Sequence, residues 1–498
     1  MTAEERRLLR SLSDLARCNP FLPERIERER QALGDTFEEV SLVWSKRLER
    51  ENPNVVKIAE RAESLAMTLR AHLAEGVSPS TEDAQLYQEL VFYLLYDRFE
   101  ARLDRAMTAS VVDFYPDFVE QARFYLSILP PRIAADVDAE LLHWFAFLFQ
   151  IRRASHHIFD FIVGSSLPAA RLRSAVWQSI FTHDLRRYRR LLFRKMSDVA
   201  TLVTGESGTG KELVAQAIAL SGYIPFQPKR KRFEIDLGQA FFPLNLSALA
   251  PTLVESELFG HRRGAFTGAL SDRKGFLAVC PALGTVFLDE IGDLDPAIQA
   301  KLLRVLQTRT FQPLGDTKSQ SFEGKIVAAT NRDLDTEMRS GRFRDDLYYR
   351  LCSDLITTPS LKEQLRDAPD DLHDLVFFIA RRVVGREEAE TITEEVIAWI
   401  TNHLGLDYGW PGNVRELEQC VRNVVIRKEY RPTRIGRDAS SSVVDLESST
   451  LTAEELLEKY CAAVYERTGS YLETARRLRL DRRTVKSKVE AFNSRKLS

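Results

Sequence analysis

The stretch that most limits what this chain can fold into is Thr201-Leu-Val-Thr-Gly205-Glu-Ser-Gly-Thr-Gly-Lys-Glu212. Val199 to Thr204 is apolar and β-branched, as in a buried strand, and Leu213 to Leu220 has the apolar spacing of a helix. A strand, a glycine-rich loop and a helix in that order make a phosphate cradle. The glycines let backbone N–H groups converge on phosphates, the helix N-terminus adds partial positive charge, and Lys211 reaches the terminal phosphates. Gly205, Glu206, Ser207, Gly208, Thr209, Gly210, Lys211 and Glu212 are thus the candidate nucleotide-binding residues. Glu212 departs from the general pattern, in which Ser or Thr after the lysine ligates magnesium. A glycine-rich loop standing alone also fits a simple turn, so the downstream residues decide.

Downstream, Thr285-Val-Phe-Leu-Asp289-Glu290 is an apolar strand ending in two acids. In a nucleotide-hydrolysing sheet this is the place for one carboxylate, Asp289, to hold magnesium through water and a second, Glu290, to polarise the attacking water. Lys325 to Asn331 is a further strand, whose polar end, Thr330 and Asn331, suits sensing of a terminal phosphate. Arg344 and Arg350 lie six apart, a spacing that gives each its own partner. Trp410-Pro-Gly-Asn-Val-Arg415-Glu-Leu417 starts a helix in a helical subdomain. Between the first two strands, Phe266 and Thr267 stand between the pairs Gly264-Ala265 and Gly268-Ala269. That pattern predicts a mobile loop displaying an aromatic tip, the alternative being a tight turn that buries Phe266.

With 498 residues the chain has room for about three domains, and Lys plus Arg (70) nearly balance Asp plus Glu (72). Nucleic-acid contacts must therefore come from local patches. Five scattered cysteines without metal spacing read as reduced thiols. No apolar core marks a signal sequence at the N-terminus, and the run Leu141 to Phe149 is too short to span a bilayer, so a soluble, cytoplasmic protein without membrane contact is expected. Residues 1–170 carry helical spacing, as in Val55, Ile58, Ala62 and Leu65, with breaks at Asn52-Pro-Asn54, Gly76 to Thr81, Tyr115-Pro116 and Pro130-Pro131. The aromatic residues from Phe114 to Phe161 read as core in preference to a ligand pocket, and His143, His156 and His157 lack companions at metal-ligand spacing. The charge run Lys229-Arg-Lys-Arg232 reads as a solvated loop.

Taken together, GESGTGKE, ESELFGH, GAFTGA, FLDEIGDL, ATNRDL, FRDDLYYRL and WPGNVREL, in this order from about 172 to 430, closely resemble the AAA+ activators of sigma-54 RNA polymerase, the bacterial enhancer-binding proteins. In that family the P-loop itself carries Glu after the lysine. The resemblance implies ATP on Gly205 to Glu212, Mg2+ at Asp289 and water priming by Glu290. It further implies that Asn245 couples Glu290 to nucleotide state, that Thr330 and Asn331 form a first sensor, and that Arg415 is a second sensor. Arg344 and Arg350 match arginines that enter a neighbour's site, so a homo-oligomer, a hexamer, is implied. Gly264, Ala265, Phe266, Thr267, Gly268 and Ala269 match the contact with sigma-54. Three departures stand out: the long Pro225 to Phe242 connection, Arg262 where the family often has an acid, and Pro359 to Gln364 in place of an arginine-rich segment.

Residues 431–450 read as a linker. Ala453 to Glu466, Tyr471 to Leu478 and Arg482 to Phe492 then give a helix-turn-helix pattern resembling the Fis-type domain that ends these activators. Arg482, Arg483, Thr484, Lys486 and Ser487 are the candidate groove-facing residues for double-stranded DNA, and Arg479 stands where such turns prefer glycine.

The resulting expectation is a multidomain chain. Residues 1–170 form an all-α regulatory domain, 171–360 an α/β AAA+ P-loop ATPase core, 361–430 its helical lid, 431–450 a linker and 451–498 an all-α helix-turn-helix. The expected function is ATP-dependent activation of sigma-54 RNA polymerase holoenzyme from upstream DNA. The alternatives are a nucleotide-responsive DNA-binding regulator or repressor without such activation, and an AAA+ remodeller of another protein.

Overall fold

The computed structural model describes residues 2–41, 52–76, 79–129, 137–432 and 452–495. Its centre is a five-stranded parallel sheet formed by the apolar, β-branched runs: β1 (Thr201–Thr204), β2 (Phe241–Asn245), β3 (Thr285–Asp289), β4 (Lys325–Thr330) and β5 (Asp354–Thr357). The order across the sheet is β2-β3-β4-β1-β5. Thr204 lies opposite Thr330 on one side and Thr357 on the other, and Asn245 lies opposite Asp289. The polar ends of the strands therefore collect along one edge.

Side chains alternate between the two faces, as the pleat requires. Leu202, Val286, Leu288, Ile326 and Ala328 enter one core with α9 (Pro251–Phe259), α10 (Pro296–Thr308) and α11 (Asp345–Leu351). Val203, Phe287, Val327, Ala329 and Ile356 enter the other, together with Val214 and Ile218 of α8 (Lys211–Ala219). That second core runs without a break into the N-terminal helices α1 (Ala3–Arg17), α2 (Pro23–Leu33), α3 (Pro53–Ala74), α4 (Thr81–Ala106), α5 (Tyr115–Leu126), α6 (Val137–Phe161) and α7 (Leu167–Phe181). These helices begin where the sequence punctuates: Asn52 and Ser80 cap α3 and α4, and proline opens α2, α3, α5 and α7. The expected break at Pro130-Pro131 lies outside the described residues.

The expected boundary at 170/171 does not separate two compact units. Helix α7 crosses it, and the chain divides instead into Met1–Tyr430 and Arg431–Ser498. The physical reason is that α6 and α7 cover the sheet-distal face of α8, which would otherwise expose an apolar stripe. Gln150 Nε2 donates to Ser221 O (2.9 Å) and Arg153 donates to Gly222 O (2.6 Å), both at the C-terminal end of α8, where a cation also meets the negative end of the helix dipole.

Helices α12 (Leu361–Asp367), α13 (Asp371–Val384), α14 (Ala389–His403) and α15 (Asn413–Arg427) pack around Leu372, Val376, Val396, Ile400, Trp410 and Leu417. This helical subdomain is tied to the α6–α7 junction. Asp371, with no exposed surface, accepts hydrogen bonds from Ser165 N (2.5 Å), Ser165 Oγ (2.8 Å) and Ser166 N (3.1 Å). Arg173, also buried, donates to Ile162 O and Gly164 O of the same junction.

In the second unit, α16 (Ala453–Thr468), α17 (Tyr471–Leu478) and α18 (Arg482–Arg495) close on Cys461, Ala475, Val485 and Val489. Most of the expected linker, 433–450, lies outside the described residues. Among the described residues no helix is long and apolar enough to cross a membrane.

Asp371→Ala should lower the stability of the full chain by roughly 2–4 kcal/mol, because a buried and a part-buried backbone donor lose their acceptor. Asp371→Asn, which keeps one acceptor oxygen, should lose less. Urea midpoints compared at constant slope check both, and a change below about 0.5 kcal/mol for the alanine variant would show the contact to be incidental.

Candidate nucleotide-binding site

β1 has β4 on one side and β5 on the other, with the chain crossing over to reach each, so the loop after β1 opens at the point where an open parallel sheet binds ligands. The loop's backbone uses glycine where L-residues are strained: Gly205, Gly208 and Gly210 have φ of 142°, 81° and 88°. Two of them also permit close approach. A β-carbon on Gly205 would lie 2.1 Å from Thr358 Oγ1, and one on Gly208 would lie 2.3 Å from Gly412 O. Thr209 Oγ1 donates to Glu206 O (2.8 Å) and shares a hydrogen bond with Thr358 Oγ1 (2.7 Å). Lys211, the first residue of α8, donates from Nζ to Gly205 O and Glu206 O, each at 3.0 Å. Glu206, Ser207 and Glu212 are exposed.

Asp289 and Glu290 stand at the end of β3, separated from β1 by β4, and are half-buried. Glu290 is left-handed (φ 56°), and its backbone N–H donates to Asp289 Oδ1 (3.0 Å), so the two carboxylates are held by a local turn. Glu290 Oε2 accepts from Asn331 N (3.3 Å), which joins the end of β4 to the acid. Thr330 is buried, and its hydroxyl accepts from Arg332 N (3.1 Å). Burial lowers the pKa of Lys211, while the charges of Glu290 and Asp289 hold it up and Arg415 works against them. Those four groups share one electrostatic site. Asn245 is at the same edge, but its side-chain oxygen accepts from Ser247 N, Ser247 Oγ and Ala248 N, so it caps the following turn, and among the described residues no hydrogen bond joins it to Glu290.

The helical subdomain reaches the loop through α15. Arg415 donates to Ser207 Oγ (3.0 Å), and its backbone N–H donates to Gly208 O (3.3 Å). Sequence reasoning missed Asn413, two residues earlier in the quoted motif. It is buried and left-handed (φ 53°), and its amide nitrogen donates to Glu206 Oε2 (2.9 Å) and Ser207 O (3.1 Å) while its oxygen accepts from Leu361 N (2.8 Å). Thr358 was also missed. An asparagine beside a glycine in a left-handed turn was the available signal for the first; nothing local marks the second.

Arg344 and Arg350 are exposed at the start and in the last turn of α11. Arg344 makes a two-point contact with Asp346 (2.9 and 2.7 Å), and its backbone N–H donates to the buried Gln299 (2.9 Å). Among the described residues no hydrogen bond or ion pair joins either arginine to its own chain's phosphate loop.

The segment Gly264 to Ala269 is a closed turn, Gly264 N donating to Ala269 O (2.9 Å) and Ala269 N to Phe266 O (3.0 Å). The expected aromatic tip is folded back. Phe266 is half-buried with its ring 4.9 Å from that of His261, and Thr267, Gly268 and Leu270, the last 86 % exposed, are what the loop displays. Arg262 is neutralised at the base by Asp272 and Asp316, each at 2.7 Å.

In the second unit, Arg482, Arg483, Thr484, Lys486 and Ser487 all lie on the exposed side of α18, opposite Val485 and Val489. The turn before it holds Arg479 at φ 53°, a left-handed position filled without glycine.

Gly208→Ala should break the contact between loop and subdomain, since its β-carbon meets a backbone carbonyl that cannot rotate away, at roughly 1–3 kcal/mol for the strained φ alone. Hydrogen exchange of the full chain should show faster exchange at 205–212 and 410–416 and unchanged exchange in α4. Unchanged protection at both segments would contradict the described approach.

Residues 181–357 match the family model described as the Sigma-54 interaction domain. The Nif-specific regulatory protein of Azotobacter vinelandii is 40% identical over 306 residues, 59% of this chain and 54% of that protein. The transcriptional regulatory protein ZraR of Klebsiella oxytoca is 38% identical over 301 residues, 59% of this chain and 63% of that protein. The chain thus spans between about half and two-thirds of the length of these relatives. A crystal structure of NtrX from Brucella abortus in complex with ATP aligns at a TM-score of 0.40 and 23% identity, over 71% of this chain and 76% of that one. The segment 181–357 thus resembles the Sigma-54 interaction domain, and around it the chain is similar to these two regulatory proteins.

Proposed function

We propose that the chain is an ATP-dependent activator of sigma-54 RNA polymerase holoenzyme that binds upstream double-stranded DNA and hydrolyses ATP in a homo-oligomeric ring, a hexamer. The observation that supports this most is the gathering of Lys211, Asp289, Glu290 and Arg415 around one phosphate loop at the sheet's switch point.

The residues fit the substrate. The three left-handed glycines and the first turn of α8 turn backbone N–H groups toward a polyphosphate, and Lys211 matches its charge. Mg2+ would be held by Asp289 through water, and when bound it supplies neutralisation of the phosphate charge. Asp289 spends Oδ1 on Glu290 N, and no hydroxyl follows Lys211, which favours a water-bridged ion over a dense ligand set.

Glu290 is the base that accepts a proton from the attacking water, and Asn331 N keeps its carboxylate turned to the site. Thr330 and Asn331 transmit the state of the terminal phosphate to β4. Arg344 and Arg350 act in the neighbouring protomer. Their exposure beside Tyr349, itself 75 % exposed, makes α11 a surface suited to a second copy. Arg415 and Asn413 carry nucleotide state to the helical subdomain. Gly264, Ala265, Phe266, Thr267, Gly268 and Ala269 form the contact with sigma-54, presented by Thr267 and released as Phe266 leaves its edge-on contact with His261. Arg482, Arg483, Thr484, Lys486 and Ser487 meet the DNA.

Glu290→Gln should bind ATP like wild type and turn it over about 10² to 10⁴ times more slowly. No turnover by wild type would favour a nucleotide-responsive switch that does not hydrolyse, and equal turnover by the variant would remove Glu290 as the base. Thr267→Ala should keep ATP turnover within about threefold and lose open-complex formation on a sigma-54 promoter; unchanged open-complex formation would remove the loop from the contact.

A further inference from the structure

A cavity lies among the N-terminal helices, and no phosphate-loop residue lines it. It has a volume of about 170 Å³ and is walled by α4, α6 and α7 together with the α1–α2 connection. Phe21, Tyr93, Tyr96, Phe159 and Trp177 supply aromatic faces. Phe21 meets Phe159 and Trp177 edge-on, with ring centres 5.1 and 5.8 Å away, which holds three of those rings in fixed orientation. The volume suits one aromatic ring with a short tail, given that a cavity of about 150 Å³ takes benzene.

The charges around the cavity are uneven. Arg25 is paired with the fully buried Glu29 (2.8 Å), and Arg152 is paired with Glu100 (2.7 Å) and Asp104 (2.5 Å). Both guanidiniums are thereby matched by carboxylates. Asp97 also lines the cavity, half-buried, and no hydrogen bond or ion pair among the described residues reaches its carboxylate. Its sequence neighbour Arg98 turns to Gln121, Glu63 and Tyr125 instead. Burial raises the pKa of Asp97, Arg98 lowers it and Glu63 raises it further. A half-buried carboxylate without a partner is costly beside apolar walls, and a cation removes that cost. The aromatic faces act in the same sense, since their negative quadrupoles attract a cation and an anion finds neither.

We propose that this cavity is a binding site for a small organic ammonium carrying one aromatic ring, its amine paired with Asp97 and its ring held among Phe21, Phe159 and Trp177. A neutral arene fills the same volume and leaves Asp97 unpaired, and an aryl carboxylate meets Asp97 and Glu100 with like charge. The order of affinity is therefore ammonium, then alcohol, then carboxylate. The site is independent of nucleotide chemistry, so its test does not depend on ATP turnover.

The full chain is titrated calorimetrically with 2-phenylethylammonium, 2-phenylethanol and 3-phenylpropanoate, chosen as probes of similar size and different charge. Wild type should bind the ammonium saturably, one per chain, at least about tenfold tighter than the alcohol, with no saturable binding of the carboxylate. Asp97→Asn should abolish the preference for ammonium over alcohol while leaving alcohol affinity within about threefold. Cys18, which also lines the cavity, should be protected by the ammonium from maleimide alkylation, read peptide by peptide in the mass spectrometer. The wild-type order alone decides the matter should Asp97→Asn fail to fold. No saturable ammonium binding up to millimolar concentration, an equal or greater affinity for the carboxylate, a preference that survives in Asp97→Asn, or binding without protection of Cys18 would each overturn the proposal.

Discussion

The carbonyl oxygen of Gly412 lies 2.3 Å from where a β-carbon on Gly208 would sit. Two backbones that close leave no room for a side chain, so the phosphate loop and the helical subdomain pack directly against each other at Gly208. What fills the approach is polar: Asn413 spans Glu206, Ser207 O and Leu361 N, and Arg415 reaches Ser207. A buried amide with its hydrogen bonds satisfied on both sides is strong only in one geometry. The contact therefore depends on the position of both sides, and a shift of the phosphate loop would strain it.

The other side of the phosphate loop is constrained as firmly. Helix α8 begins with Lys211 at the loop, and just past its end Gln150 and Arg153 of α6 hold the carbonyls of Ser221 and Gly222. The α6–α7 junction is in turn gripped by Asp371 of the helical subdomain. N-terminal helices, phosphate loop and subdomain thus form a closed circuit of hydrogen bonds. Phe159 and Trp177, which wall the N-terminal cavity, stand on the same α6 and α7, so a change in their packing bears on the junction that Asp371 holds.

How much of this was legible depended on whether a property is local. The strand, glycine loop and helix around Lys211 were readable because each position carries its own backbone or charge requirement. The three helices of the second unit were legible as a helix-turn-helix pattern, and Arg479, where such turns prefer glycine, sits at a left-handed φ of 53°. The continuity of residues 1–170 with the sheet was not readable. Whether Val203 and Ile218 face their own domain or a preceding one is decided by long-range packing that no window of sequence contains. The same holds for Asp371, whose partners lie some two hundred residues earlier, and for Phe266, whose burial depends on where His261 is placed by its bridges to Arg273 and Leu314.

The departures from the sigma-54 activator pattern are best understood through the same packing. The long Pro225 to Phe242 connection forms a two-residue hairpin, pairing Phe226 with Phe233, and its charged tip stays in solvent. Its aromatic residues do not. Phe233 stacks on Phe149 at 3.8 Å, Phe226 meets Phe145 and Tyr115, and Lys231 O accepts a hydrogen bond from Val112 N (2.7 Å). Each such aromatic pair contributes about 0.5–1.5 kcal/mol beyond its buried area. The connection is long because it must reach the helices that cover the sheet, so an insertion that looked like a solvated loop is part of the attachment of the N-terminal region. Arg262 follows the same logic on a smaller scale. A cation in a position the family often gives to an acid is matched here by Asp272 and Asp316, and Asp272 also accepts from Arg263 N (2.8 Å). The base of the loop keeps its charge balance with the signs rearranged, which leaves Thr267 and its neighbours free to face outward.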